Sequence, residues 1–156
     1  MTTKAAPRRG ELPYSAAAEQ ALIACVLLDE QIAWDEGVAE IVSVDDFFLT
    51  EHRAIWRALL SLRGLMPVTW TTTVTALTVL GLIDEVDRAV GPPWTEPYLV
   101  SITGEHWAAT GCSAYARIIK DYSERRRLVQ EAQAMVRDAY DQRKPINQRP
   151  ASGGYE

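Results

Sequence analysis

Residues 113–140 read Ser-Ala-Tyr-Ala-Arg-Ile-Ile-Lys-Asp-Tyr-Ser-Glu-Arg-Arg-Arg-Leu-Val-Gln-Glu-Ala-Gln-Ala-Met-Val-Arg-Asp-Ala-Tyr. The stretch holds no Gly or Pro and is rich in side chains that lose little rotamer freedom in a helix. It predicts one helix of ~42 Å, at ~1.5 Å per residue. Tyr115, Ile118, Tyr122, Arg125, Val129, Ala132, Val136 and Ala139 recur at alternating steps of three and four. Such a seam suits packing against another long helix. Ile119, Leu128 and Met135 form a second flank that widens the apolar face. A body of ~100 residues cannot cover that face along its whole length, so residues 129–140 are expected to project. An exposed apolar stripe marks a protein contact. Burying one Val or Leu there contributes ~1.5–3 kcal/mol, so a few such residues can hold a dimer. Tyr115, Ile118, Ile119, Tyr122, Val129 and Val136 are therefore the candidate residues for self-association or partner binding. Lys144-Pro145 ends the helical pattern.

Working upstream, the pattern predicts a compact bundle of short helices, so the fold class is all-α with one long C-terminal helix. Pro13 and Ser15 open the first helix, the Ser15 hydroxyl accepting from an orphan N–H. Ala18, Leu22, Cys25 and Val26 supply its stripe, and Asp29 marks its exit. A second helix is predicted over residues 31–42 with Ile32, Val38 and Ile41 inward. Ser43, with Asp46 three residues later, reads as the cap of a short turn. Thr50 is the expected cap of the next helix, where Ile55, Leu59 and Leu62 share a face and Gly64 closes it. Residues 69–79 are rich in β-branched side chains, which favour a strand. Yet Val74, Leu77 and Leu80 have helical spacing, Gly81 resembles a C-cap, and no second strand-like run exists to pair with. A helix is therefore predicted there. Residues 84–90 read as a short helix, Gly91-Pro92-Pro93 as a rigid turn, and Thr95 as the cap of a further helix with Pro97 in its first turn. The domain reading is a disordered basic tail over 1–12, a helical globular domain over 13–112, a long projecting helix over 113–144 and a disordered tail over 145–156.

With 156 residues, 47% of them apolar and 24% charged, the chain suits one soluble domain with a real core. The net charge of −5 gives nucleic acid no overall attraction. Charge is uneven: residues 113–144 hold eight basic and five acidic side chains, and the residues before them seven basic and fifteen acidic. Cys25 and Cys112 lie in no Cys-x-x-Cys and read as buried reduced thiols. The longest apolar run, residues 21–28, is far short of the ~20 residues that span a bilayer. No apolar segment follows Lys4, Arg8 and Arg9 closely enough for a signal peptide, so a cytoplasmic protein is expected.

Chemistry finds little support. No Gly-x-x-x-x-Gly-Lys-Ser/Thr occurs, so no phosphate-binding loop of that kind is available. His52 and His106 are distant in sequence and lack a Cys/His cluster, so no metal is expected. His52 is expected to orient the Phe48–Trp56 region by a hydrogen bond. The acid pairs Asp29-Glu30, Asp35-Glu36, Asp45-Asp46 and Asp84-Glu85 sit near helix starts, where capping and the macrodipole account for them. Ser113 beside Cys112 has no adjacent base. No catalytic residue and no cofactor is expected. Arg125-Arg126-Arg127 can contact an acidic partner or DNA, or can be a solvated face with Asp121–Arg125 and Arg127–Glu131 pairs; the second is the simpler reading. Trp34, Phe47, Phe48 and Trp56 fall on inward positions, whereas Trp70, Trp94 and Trp107 flank helix ends and suit a partner surface.

A set of ordered landmarks runs through these elements. Pro13, Ser15, Glu19, Gln20, Leu22, Leu27, Leu28 and Asp29 come first, then Trp34. Asp46, Phe47, Phe48, His52, Arg53, Ile55 and Trp56 follow, then Pro67-Val68 and Tyr98-Leu99. Last come Ser113-Ala114-Tyr115-Ala116-Arg117-Ile118-Ile119-Lys120-Asp121 and Arg127-Leu128. The whole resembles the N-terminal domain of DnaB-type replicative DNA helicases. The departures are Thr69 where the family has an acid, Gly91-Pro92-Pro93-Trp94 where it has Gly-Gly, and tail sequence where it has a second antiparallel hairpin helix. The family's ATPase domain is not on this chain.

The resemblance implies a DNA replication protein that binds primase, a replicative helicase or a helicase loader and self-associates as a homodimer or larger oligomer. Direct DNA contact is expected to be weak or absent, and no membrane contact or enzymatic activity is expected of this chain. Two alternatives stay open: a fragment or split subunit of an ATP-dependent helicase, and a small helical DNA-binding protein.

Overall fold

The computed structural model describes residues 11–105, 111–143 and 145. His106, Trp107 and nearly all of both expected tails lie outside the described residues. The elements are α1 (Ala16–Leu28), α2 (Glu30–Asp35), α3 (Val38–Ile41), a 3-10 turn (Val44–Asp46), α4 (Thr50–Leu62), α5 (Trp70–Val79), α6 (Ile83–Val90), α7 (Thr95–Glu105) and α8 (Cys112–Tyr140). No strand occurs among the described residues, so the fold is all-α as expected.

Helix α1 is the hub, touching α2, α4, α7 and α8. Its residues from Ala18 to Val26 are buried on almost every side, which makes it a core helix and not an amphipathic one. Ser15 caps it, accepting from the Ala18 N–H at 3.1 Å. Asp29 ends it and caps α2, accepting from the Ile32 N–H at 3.2 Å. Around α1 the core is filled by Phe47, Ile55, Trp56, Leu59, Leu77, Leu99 and Ile102. Trp56 meets Phe47 at 5.2 Å and Trp34 edge-on at 5.9 Å between ring centroids. Phe48, expected inside, is half-buried and stacks on Tyr14 at 4.3 Å.

Three local expectations are corrected. The helix predicted over 31–42 splits into α2 and α3, because Gly37 takes φ +78°, a left-handed conformation that interrupts the helix. Ile32, expected inward, faces water, while Ala33 and Val38 fill the core and Ile41 packs half-buried against it. Thr50 does not cap α4. Leu49 holds that position, and the Glu19 carboxylate accepts from the Phe48 N–H at 2.8 Å and the Leu49 N–H at 3.3 Å. Leu80 lies past the end of α5 and faces water, so only Val74 and Leu77 of that trio pack inward.

The Thr-rich segment is helical for a visible reason. Thr69 Oγ1 accepts from the Thr72 N–H at 3.0 Å. The hydroxyls of Thr73, Thr75 and Thr78 then donate to carbonyls four residues back at 2.6, 3.0 and 2.9 Å. After α6, Gly91-Pro92-Pro93 forms the expected turn, in which the Trp94 N–H donates to the Gly91 carbonyl at 2.8 Å. Thr95 is the first residue of α7, and its N–H donates to Asp87 Oδ1 at 3.0 Å, fastening α7 to α6.

The single buried histidine of the described residues ties three helices. With the ring proton on Nδ1, His52 of α4 donates to Glu19 of α1 at 2.8 Å. Its Nε2 then accepts from the Tyr98 hydroxyl of α7 at 2.7 Å, and that hydroxyl accepts from Gln20 at 3.4 Å. The hydrogen bond expected to orient the Phe48–Trp56 region thus goes to Glu19 and Tyr98. Burial, opposed by the Gln20 hydrogen bond and aided by nearby Glu51, Glu19 and Glu105, pushes the Tyr98 hydroxyl up to about 12.

Candidate protein interface

Helix α8 starts under firm control. Gly111, at φ +79°, precedes it, and Glu36 at the end of α2 accepts from the Ser113 N–H at 3.2 Å and hydroxyl at 3.1 Å. Cys112 is buried beside Cys25 of α1, and neither is in a disulfide. Burial pushes both thiols above their usual pKa, so neither is an activated nucleophile. From there Cys112, Ala116, Ile119 and Arg126 face the body, with Lys120 and Ser123 beside them.

A polar cluster fixes this inner face. The Asp46 carboxylate accepts from the Ser43 N–H at 2.8 Å, the Ser123 hydroxyl at 2.8 Å and Lys120 Nζ at 3.3 Å. Burial alone would push the Asp46 carboxyl up, but the Ser43 N–H, the Ser123 hydroxyl and Lys120 outweigh it and hold it below the usual carboxylate range. Arg126 reaches further in. Its guanidinium donates to the Pro13 carbonyl at 3.0 Å and the Asp46 carbonyl at 2.5 Å, and lies 5.4 Å over the Phe48 ring. Burial lowers its pKa, as does Arg53, whereas Glu19 and Asp46 raise it.

Beyond Arg126 no residue of α8 is buried. Leu128 is 59% exposed, Met135 39%, Val136 56% and Tyr140 84%. Ile118, Tyr122, Leu128 and Val129 line a shallow groove of about 920 Å³ with Pro13 at its edge. A second hollow of about 470 Å³ continues along Val129, Ala132 and Val136. The apolar face therefore runs past the end of the body without a covering element among the described residues.

The candidate residues fall into two groups. Ile118, Tyr122, Val129 and Val136 lie on the uncovered face, and Tyr115 is half-buried against the core at its base. Ile119 is not available to a partner. It is 2% exposed and belongs to the body-facing stripe. Of the arginines, Arg125 is exposed and pairs with Asp121 at 2.7 Å, and Arg127 is exposed. Arg126 is withdrawn from the candidate DNA or acidic-partner contacts, because its charge is engaged inside the fold. No ion pair joins Arg127 to Glu131 among the described residues. Trp70 and Trp94 are exposed. No group of three metal-binding side chains occurs among the described residues, and no helix there is long and apolar enough to cross a membrane. Three of the four acid pairs do structural work: Asp29, Glu36 and Asp46 each accept a backbone N–H, although Asp35-Glu36 closes α2 and does not open it.

Sequence reading missed Lys120, Ser123 and Arg126 as the clamp. A signal existed: Cys112, Ala116, Ile119, Ser123 and Arg126 form a second stripe with steps of four and three, interleaved with the more apolar one.

Fold and site together define an all-α domain with a compact head and a terminal helix that outruns it. Residues 11–121 match the family model described as DnaB-like helicase N terminal domain, and the chain belongs to that family. It is 31% identical over 129 residues to the replicative DNA helicase DnaB of Haemophilus influenzae, covering 82% of this chain and 26% of that protein. To the replicative DNA helicase DnaC of Bacillus subtilis it is 29% identical over 130 residues, with the same coverage. Among solved structures, the N-terminal domain of DnaB helicase from Mycobacterium tuberculosis superposes with a TM-score of 0.72 at 28% identity, covering 83% of this chain and 87% of that one. The chain thus spans about a quarter of the curated relatives it matches, and the matched part is their N-terminal domain.

Proposed function

We propose that this chain serves DNA replication in the cytoplasm as a protein-interaction module. It self-associates through the uncovered face of α8 and docks a primase, a replicative helicase or a helicase loader. One observation carries this reading: past Arg126 the helix continues to Tyr140 with Leu128, Met135 and Val136 in water. Apolar side chains in such a stripe gain ~1.5–3 kcal/mol each on burial. This chain itself turns over no nucleotide, since no phosphate-binding loop of the Gly-x-x-x-x-Gly-Lys-Ser/Thr kind is present.

Sedimentation across a concentration series tests self-association. The wild type is expected to shift to a dimer or larger species. Ile118→Asp and Val136→Asp should stay monomeric with unchanged circular dichroism. A wild type that remains monomeric at its highest soluble concentration removes the proposal. Co-purification with the host's primase, helicase and loader identifies the docked partner.

A second reading has one observation in its favour: the curated relatives extend far beyond the matched region. In it the chain is a piece of an ATP-dependent helicase. A companion chain carrying the second hairpin helix and a phosphate-binding loop would decide for it. The DNA-binding reading loses its central residue with Arg126 turned inward, and a flat DNA titration at low salt would close it.

A further inference from the structure

The end of the globule where α8 begins carries a second uncovered surface. Three ties draw distant segments together there. Glu30 of α2 accepts from the Val68 N–H, in the α4–α5 connection, at 3.1 Å. Arg63, just past α4, lies 3.2 Å from Glu40 of α3 and 5.2 Å over the Trp34 ring of α2. Glu36 of α2 holds Ser113 at the start of α8. The α1–α2 junction and the α4–α5 connection are thus neighbours.

The residues flanking these ties are large, apolar and wet. Leu28 is 41% exposed, Ile32 43%, Leu65 81%, Met66 50% and Trp70 41%. Their chain neighbours Ala33, Leu62 and Val68 already fill the core. One exposed apolar residue is ordinary, but five within three residues of the Glu30–Val68 bond form a patch. Trp and Met are also side chains enriched at interfaces. The rim is acidic: Asp29 and Glu30 are half-buried, and Asp35 and Glu40 are exposed. Against these four stands Arg63, which is already engaged with Glu40 and Trp34.

We propose that this patch docks an amphipathic helix of a partner protein, with aliphatic or aromatic residues on one face and Lys or Arg beside them. Charge decides the occupant. Phosphate-rich partners, whether nucleic acid or an anionic lipid surface, meet four carboxylates and are repelled. A second copy's globule would bring fifteen acidic against seven basic side chains to an acidic rim, and its basic α8 is already committed to self-association in the proposed function. Strand addition has no edge to join among the described residues, which leaves a helix as the element that can lay an apolar face here. The surface is separate from the α8 interface. The uncovered face of α8 runs from Ile118, ~9 Å along the helix from Cys112 at ~1.5 Å per residue, to Val136, ~36 Å along it, and shares no residue with this patch. One chain can hold a copy of itself and this partner at once, and the docking site does not depend on α8 pairing.

The test titrates the full chain into a fluorescein-labelled synthetic 18-residue helix with a leucine face flanked by lysines. The same peptide with glutamates in place of the lysines is the control. Saturable binding of the lysine form is expected, about tenfold or more tighter than the glutamate form and weakening with salt. Leu65→Asp, Met66→Asp and the double variant Asp35→Lys/Glu40→Gln should each weaken it about tenfold. Thermal melts check that each variant is folded; Leu65, the most exposed of the five, is the safest to alter. Val136→Asp on α8 should leave the affinity unchanged while abolishing self-association, so the two surfaces fail or survive separately. Equal affinity in the patch variants, equal binding of the two peptides, or loss of binding only in Val136→Asp each overturns the proposal.

Discussion

The two halves of α8 share one helix and similar composition, yet they live in different surroundings. From Cys112 to Arg126 the helix is held by Glu36, by the Asp46 cluster and by the inward guanidinium of Arg126. From Arg127 to Tyr140 no helix among the described residues buries it. Helix propensity is adequate in both, so it does not set the difference. What differs is whether the body offers carbonyls and a carboxylate to the helix. The clamped half belongs to the fold, whereas the free half is helix looking for something to pack on.

Proline substitution should break the comparison most sharply. Ser123→Pro removes a helical hydrogen bond and the hydroxyl on Asp46, and is expected to cost more than ~3 kcal/mol of global stability. Gln133→Pro, in dilute monomeric protein, should reduce the helical signal of the distal turns yet move the unfolding midpoint by less than about 0.5 kcal/mol equivalent. Urea titrations read by circular dichroism distinguish them, and equal losses would mean the free half is not energetically separate. Next in size is Arg126→Ala. It leaves the Pro13 and Asp46 carbonyls without their donor and is expected to destabilise by on the order of 3 kcal/mol. Hydrogen exchange along residues 112–126 should quicken, and Arg126→Lys should recover only part, because an ammonium cannot reproduce the fork.

A smaller loss than at Arg126 is expected at Asp46. Its folded pKa lies below the ordinary 3.8, so its contribution is complete above that value and is lost as pH falls through the lower folded one. Asp46→Asn should cost about 1 kcal/mol near neutral pH. It should also flatten the acid side of the stability curve. Melting temperatures from pH 6 down to pH 2 measure this, and parallel curves for the two proteins would exclude Asp46 as the titrating group.

Much of the fold was legible because caps and spacing act locally. Ser15, the Ser43–Asp46 turn and the closure at Gly64 each depend on residues within a turn of one another. The Thr-rich helix was legible from Val74 and Leu77 despite its propensity, since tertiary burial outweighs a β-branched preference. Glu19 as the cap of α4 was not, because donor and acceptor lie 29 residues apart in sequence. The uncovered face of α8 was readable at Val129 and Val136. Ile119 and Arg126 were misjudged because two interleaved stripes share the helix, and spacing alone does not say which one meets the body. An arginine between two arginines also reads as solvated until Pro13, Asp46 and Phe48 are seen to converge on it.

Glu19 has a consequence of its own. One carboxylate serves the amides of Phe48 and Leu49 and the ring of His52. A slip of α1 by a single residue, ~1.5 Å, would break all three bonds together. The register of α1 against α4 is therefore set by three bonds on one side chain, which are kept or lost as a group.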